Sequence, residues 1–130
     1  MGIVLLGLTA ALVAVRAFET LDTARADSTQ GKAYVGEAPP DMALADTDVS
    51  PESARVLLDG ADVGDADDFD GHPGYLAMNP GKHTLEFRQE GYQTLQIEIE
   101  ALPGRKYDIY RKMHKGKSNE VRKETWVNPR

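Results

Sequence analysis

The chain has 130 residues, 41% of them apolar and 28% charged, with a net charge of −6 and no cysteine. That length leaves room for one small core and excludes barrels and doubly wound enzymes, which need roughly 200 residues. The missing cysteines exclude disulfide scaffolds, thiolate zinc centres and cysteine nucleophiles, and the acidic balance argues against nucleic acid as a partner.

From Gly2 to Val15 no side chain is charged, and Ile3, Val4, Leu5, Leu6, Leu8, Leu12, Val13 and Val15 form a hydrophobic stretch ending at Arg16. As a helix it would span about 21 Å, short of the ~30 Å hydrocarbon core, which suits a signal-peptide h-region or a short anchor within residues 1–26. Val15-Arg16-Ala17 and Ala24-Arg25-Ala26 offer cleavage sites. The expectation is an exported prokaryotic protein, periplasmic, cell-surface or membrane-anchored, with residues 2–15 providing any membrane association. Because 14 of the 53 apolar residues fall in the first 18 positions, the body that follows is lean and mostly surface.

Residues 27–42 carry Ser, Thr, Gly and the Pro39-Pro40 pair, with Tyr34 and Val35 as the residues able to pack, and read as a linker. From residue 43 the pattern becomes short runs of period two. Leu85 and Phe87 share one strand face, and Leu95, Ile97 and Ile99 alternate with Gln96, Glu98 and Glu100. Strands are predicted over 43–49, 54–59, 61–64, 75–78, 82–90, 93–100 and 105–113. Turn residues at Asp59-Gly60, Pro80-Gly81, Gly91 and Pro103-Gly104 separate several of them. Asp59-Gly60 is a two-residue hairpin turn, since both residue types tolerate the positive φ of a type I′ turn. The reading is an all-β protein, a small Ig-like or transthyretin-like sandwich of about seven strands behind an N-terminal hydrophobic signal or anchor helix. Its predicted core is Val56, Leu58, Val63, Leu76, Leu85, Phe87, Tyr92, Leu95, Ile97, Ile99, Tyr107 and Ile109.

Three ordered motifs then stand out: Pro51-Glu52-Ser53-Ala54 before the first hairpin, Pro80-Gly81-Lys82-His83 leading into a long strand, and Gly91-Tyr92 after it. Over residues 43–113 the chain resembles a PEGA domain. The resemblance implies a small extracytoplasmic β-sandwich of the kind found in surface-layer and other exported proteins, without catalysis. Two departures from the family pattern are Ser53, in place of the motif glycine, and the stretch from Gly64 to Gly71, in place of Gly-Thr-Thr-Pro.

Six aspartates, Asp59, Asp62, Asp65, Asp67, Asp68 and Asp70, fall between positions 59 and 70 with no basic residue among them. Crowded carboxylates of this kind suit calcium, with Asp65, Asp67, Asp68 and Asp70 as candidate ligands, or serve as solvated turn residues. An EF-hand is not written here: Leu76 stands where a loop begun at Asp65 needs its bidentate Glu. Phe69, Asp70 and Tyr75 are candidate carbohydrate-binding residues, with Phe69 expected at the surface because its neighbours are polar. His72, His83 and His114 show no metal-ligand spacing, and His83 reads as structural. No nucleophile-elbow, P-loop or zincin motif is present, so no catalytic residue and no cofactor other than calcium is assigned.

Residues 111–130 hold seven cations against Glu120 and Glu124, a local +5 on a chain that is otherwise −11. Residues 114–130 read as a basic tail in which Lys115, Lys117, Arg122, Lys123 and Trp126 meet a partner, or as a solvated tail. The function expected is a non-catalytic cell-envelope module that binds envelope proteins or anionic surface polymers. A carbohydrate- or calcium-binding module using residues 59–70 is the alternative.

Overall fold

The computed structural model describes residues 29–126, and the backbone alone at Trp126. The hydrophobic stretch 2–15, both cleavage sites and Arg130 lie outside the described residues. Among those described, no helix is long and apolar enough to cross a membrane.

The described residues are all-β, with nine strands where the alternation pattern marks seven. They are β1 (Ala33–Tyr34), β2 (Ala43–Ser50), β3 (Arg55–Leu58), β4 (Ala61–Asp65), β5 (Tyr75–Met78), β6 (Gly81–Arg88), β7 (Thr94–Ala101), β8 (Lys106–Lys112) and β9 (Val121–Trp126). A 3-10 turn, Ala66–Phe69, follows β4. One sheet has the order β1-β5-β2-β8 and the other β4-β3-β6-β7-β9. Most neighbours are antiparallel, whereas β2/β8 and β7/β9 run parallel.

Alternation explains how the sheets meet. Ala43, Ala45, Val49, Leu76, Met78, Tyr107 and Ile109 from the first sheet join Val56, Leu58, Leu85, Phe87, Leu95, Ile97 and Ile99 from the second in one buried cluster. Ten of the twelve predicted core residues are fully buried, and Val63 and Tyr92 pack against the cluster from its margin. The Asp59-Gly60 hairpin forms as expected: Leu58 pairs with Ala61, and φ is positive at both turn residues. Tyr107 closes the opposite end, its hydroxyl donating to the Glu100 carbonyl and accepting from the Leu102 N–H.

Residues 29–42 of the stretch predicted as a linker are part of the fold. Gly31 N–H donates to the Ala77 carbonyl at 2.8 Å, Ala77 N–H returns a bond to Lys32 at 3.0 Å, and Tyr34 pairs with Tyr75. This strap covers the outer side of the first sheet, where Met42, Leu44 and Ala77 form a second buried cluster with Tyr34, Ala38 and Tyr75 around it. Gly74 permits the approach, since a Cβ there would run into the Tyr34 carbonyl.

The predicted tail is corrected in the same way. Residues 114–120 turn back on the Gly91-Tyr92 corner through Gly116 N–H to the Gly91 carbonyl and Thr94 Oγ1 to the Ser118 carbonyl, and 121–126 then add β9 to β7. β9 escapes the period-two reading because no apolar alternation marks it. Its register positions beside Leu95 and Ile97 hold the polar residues Arg122 and Glu124, the second paired with Arg111.

Candidate functional site

Three features bear on function: the Asp-rich stretch, the aromatics beside it, and the basic strand at the far edge.

The Asp-rich stretch is a folded turn. Ala66 and Phe69 are both in the main core, and Phe69 is only 2% exposed. Thr47 Oγ1, buried in β2, donates to the Ala66 carbonyl at 2.8 Å and holds the turn on the sheet. The expectation that Phe69 lies at the surface is therefore wrong. The 3-10 turn rotates its fourth residue inward while its charged neighbours face water. Phe69 is not a sugar platform.

The aspartates divide into separate tasks. Asp59 lies in the hairpin turn: its Oδ1 accepts from Thr84 N–H at 2.8 Å, and its Oδ2 meets His83 Nδ1 at 2.5 Å. The other ring nitrogen of His83 meets the Asn79 carbonyl at 2.6 Å, and the side chain is 8% exposed. His83 thus ties the Pro80-Gly81 turn to the hairpin, a structural role as expected. Asp62 and Asp65 flank Arg55, whose Nε and Nη2 bind the two Asp62 oxygens at 3.1 and 2.6 Å while Nη1 binds Asp65 at 2.6 Å. Asp68 accepts from Asp65 N–H at 2.9 Å and closes the turn.

Of the four candidate metal ligands, Asp67 and Asp70 come together, whereas Asp65 and Asp68 are committed to Arg55 and to the turn. Glu52 completes the group: the ligand oxygens of Glu52, Asp67 and Asp70 lie within 4.8 Å of one another. Asp67 N–H donates to the Glu52 carbonyl at 3.1 Å, so the Pro51-Glu52-Ser53-Ala54 turn is stitched to the Asp-rich one. Fifteen positions separate these residues in sequence, with no spacing signal to join them. One oxygen from each carboxylate gives three ligands, and even bidentate binding by all three gives six, the lower end of the six to eight that calcium takes.

The Arg55 cluster has a defined electrostatic consequence. Hydrogen bonding to Arg55 holds the Asp62 carboxyl below its ordinary 3.8, with desolvation opposing, and the same contacts raise the guanidinium. A carboxyl lowered by folding stabilises fully above its unfolded value and loses that contribution as pH falls through the folded one. Arg55→Met is therefore expected to melt below the wild type at neutral pH. The gap should narrow only below about pH 4, in thermal melts followed by circular dichroism.

Tyr75 faces outward from the first sheet. Lys106 Nζ lies 4.2 Å from its ring centroid, and Gly36, Glu37, Gly71 and Tyr75 border a shallow hollow of about 610 Å³. Asp70 is half-buried beside it, and its Oδ1 faces the His72 N–H. Phe69, Asp70 and Tyr75 thus do not share one binding surface. A half-open cleft of about 400 Å³ on the outer face of the second sheet is lined by Asp59, Lys82, His83, Thr84, Glu98, Glu100 and Thr125. Asp59 and His83, two of its acid–base groups, are those that fix the turns.

Comparison with protein-family models, curated proteins and solved structures finds no match to the chain.

The basic residues gather at the edge formed by β8 and β9. Arg111 of β8 bridges the sheets to Glu124 of β9 at 2.9 Å. Around this tie Arg122 and Lys123 are exposed, Val121 is 48% exposed and Tyr110 is 75% exposed. Lys115 lies at an isolated bridge to Tyr92, and Lys117 N–H donates to Glu120 Oε1 at 3.1 Å. Trp126 ends β9 opposite Ile99 in register. Among the described residues, β9 pairs with β7 alone, leaving its outer edge without a strand partner.

Proposed function

We propose that the chain is a non-catalytic, exported module of a prokaryotic cell envelope, PEGA-like in its motifs and Ig- or transthyretin-like in its sandwich. It binds protein or anionic polymer partners through the β8–β9 edge. The observation that carries this reading is the conversion of the basic segment into an ordered edge strand. Arg122 and Lys123 are exposed there beside Val121, on a backbone able to accept further hydrogen bonds. Cations held on a rigid strand bind a polyanion at less entropic cost than cations on a solvated tail.

Deleting the whole segment is a poor test, because it removes a strand as well as charge. Arg122→Glu with Lys123→Glu reverses two exposed charges and leaves the ladder in place. Bound to immobilised dextran sulfate at low salt, this variant is expected to lose about tenfold in affinity at an unchanged melting temperature. Undiminished retention would reject the edge as the binding surface.

A further inference from the structure

We propose that the basic β9 edge docks against the acidic edge of a second copy of this chain, head to tail. The inference rests on the reading of β9 as the binding edge and names its partner.

The two edges belong to one sheet. In the order β4-β3-β6-β7-β9, β4 and the 3-10 turn after it carry the aspartates, and β9 carries Arg122 and Lys123. Four strand spacings separate β4 from β9, about 19 Å at the usual interstrand distance. The Debye length at physiological salt is only about 8 Å, so the two charge groups do not neutralise each other within one molecule. Contact between copies brings them together at ion-pair distance.

The edges are also unequal as strand templates, which gives the contact a direction. β4 is short, its register with β3 shifts between Val56 and Leu57, and Arg55 already binds Asp62 and Asp65. A bulged, charge-compensated edge resists further pairing. β9 pairs with β7 over six regular positions and exposes Val121. Beyond the bulged strand, Glu52 and Asp67 are exposed, and with Asp70 they converge within 4.8 Å. The exposed cations of β9 match this group in sign and in presentation. Such a contact is heterologous, so repetition builds a ring or an open chain of copies.

Sedimentation velocity of the full chain tests the contact, in a non-ionic detergent that covers residues 2–15 and leaves ionic contacts intact. At about 20 mM salt, where the Debye length is roughly 20 Å, the sedimentation coefficient is expected to rise with concentration. At about 0.5 M salt it should return to the monomer value. Glu52→Lys with Asp67→Lys, and separately Arg122→Glu with Lys123→Glu, should each sediment as monomer at low salt. Mixed in equal amounts, the two variants should associate again, because each supplies the charge the other has reversed. A wild type that stays monomeric at low salt, or variants that fail to associate when mixed, would overturn the head-to-tail contact. Dextran sulfate binding that still depends on Arg122 and Lys123 would then leave the edge reading standing with another partner. Its loss would remove both.

Discussion

Replacing Phe69 with alanine is expected to destabilise the protein by about 3–5 kcal/mol, the usual cost of emptying a buried phenylalanine site. The ring lies between the sheets at 2% exposure and packs beside Gly64, where an added Cβ would come within 3.2 Å of its Cε2. Its removal leaves a cavity under the 3-10 turn and releases that turn's main apolar anchor. For a domain of this size each kcal/mol shifts the melting temperature by about 4–8 °C, so the variant should melt at least 12 °C lower. Phe69→Leu, which keeps most of the volume, should recover more than half of the loss. Urea unfolding curves measure both. An alanine variant within about 1 kcal/mol of wild type would place the ring at the surface, as its polar neighbours suggest.

The same residue shows where sequence reasoning reaches and where it stops. Leu85 and Phe87, or Leu95, Ile97 and Ile99, announce their face because a pleat has period two and water selects one side. Asp59-Gly60 announces its turn because few residue pairs accept positive φ twice in succession. Phe69 sits in a single 3-10 turn, too short for any period, so the polarity of its neighbours misleads. Tyr34 and Met42 are scattered among glycines and prolines, and nothing local says that they cap Leu44 and Ala77. Leu44 itself breaks the alternation of β2 by being buried on the outer side, which the strap explains only once it is in place. Glu52 meets Asp67 and Asp70 through backbone pairing between two turns, a tertiary fact with no counterpart in spacing. The charge asymmetry of the chain is legible in composition. Its arrangement as opposite edges of one sheet depends on strand order.

Truncation before Val121 separates an edge strand from a tail. If residues 121–130 were a solvated tail, their loss would leave the melting temperature where it was. As β9, residues 121–126 contribute a parallel ladder to β7 from Thr94↔Val121 to Ile99↔Trp126, and Glu124 ties that ladder to Arg111 across the sandwich. Net contributions of about 1 kcal/mol per ladder bond put the loss on the order of 3–5 kcal/mol. The truncated chain also gains a hazard. β7 is eight residues long, with alternating apolar residues and a regular antiparallel register to β6, and it becomes the new edge of the sheet. A long, flat, unprotected edge invites pairing with other chains. The truncated protein is therefore expected to unfold at lower temperature and to aggregate in a concentration-dependent way that high salt does not reverse. The ionic association proposed for the intact chain, by contrast, is one that salt would dissolve. Light scattering at low and high salt, run beside thermal melts, distinguishes the two. A truncated chain as stable and soluble as wild type would mean that β9 contributes nothing to the sheet, and the binding edge would have to be sought elsewhere.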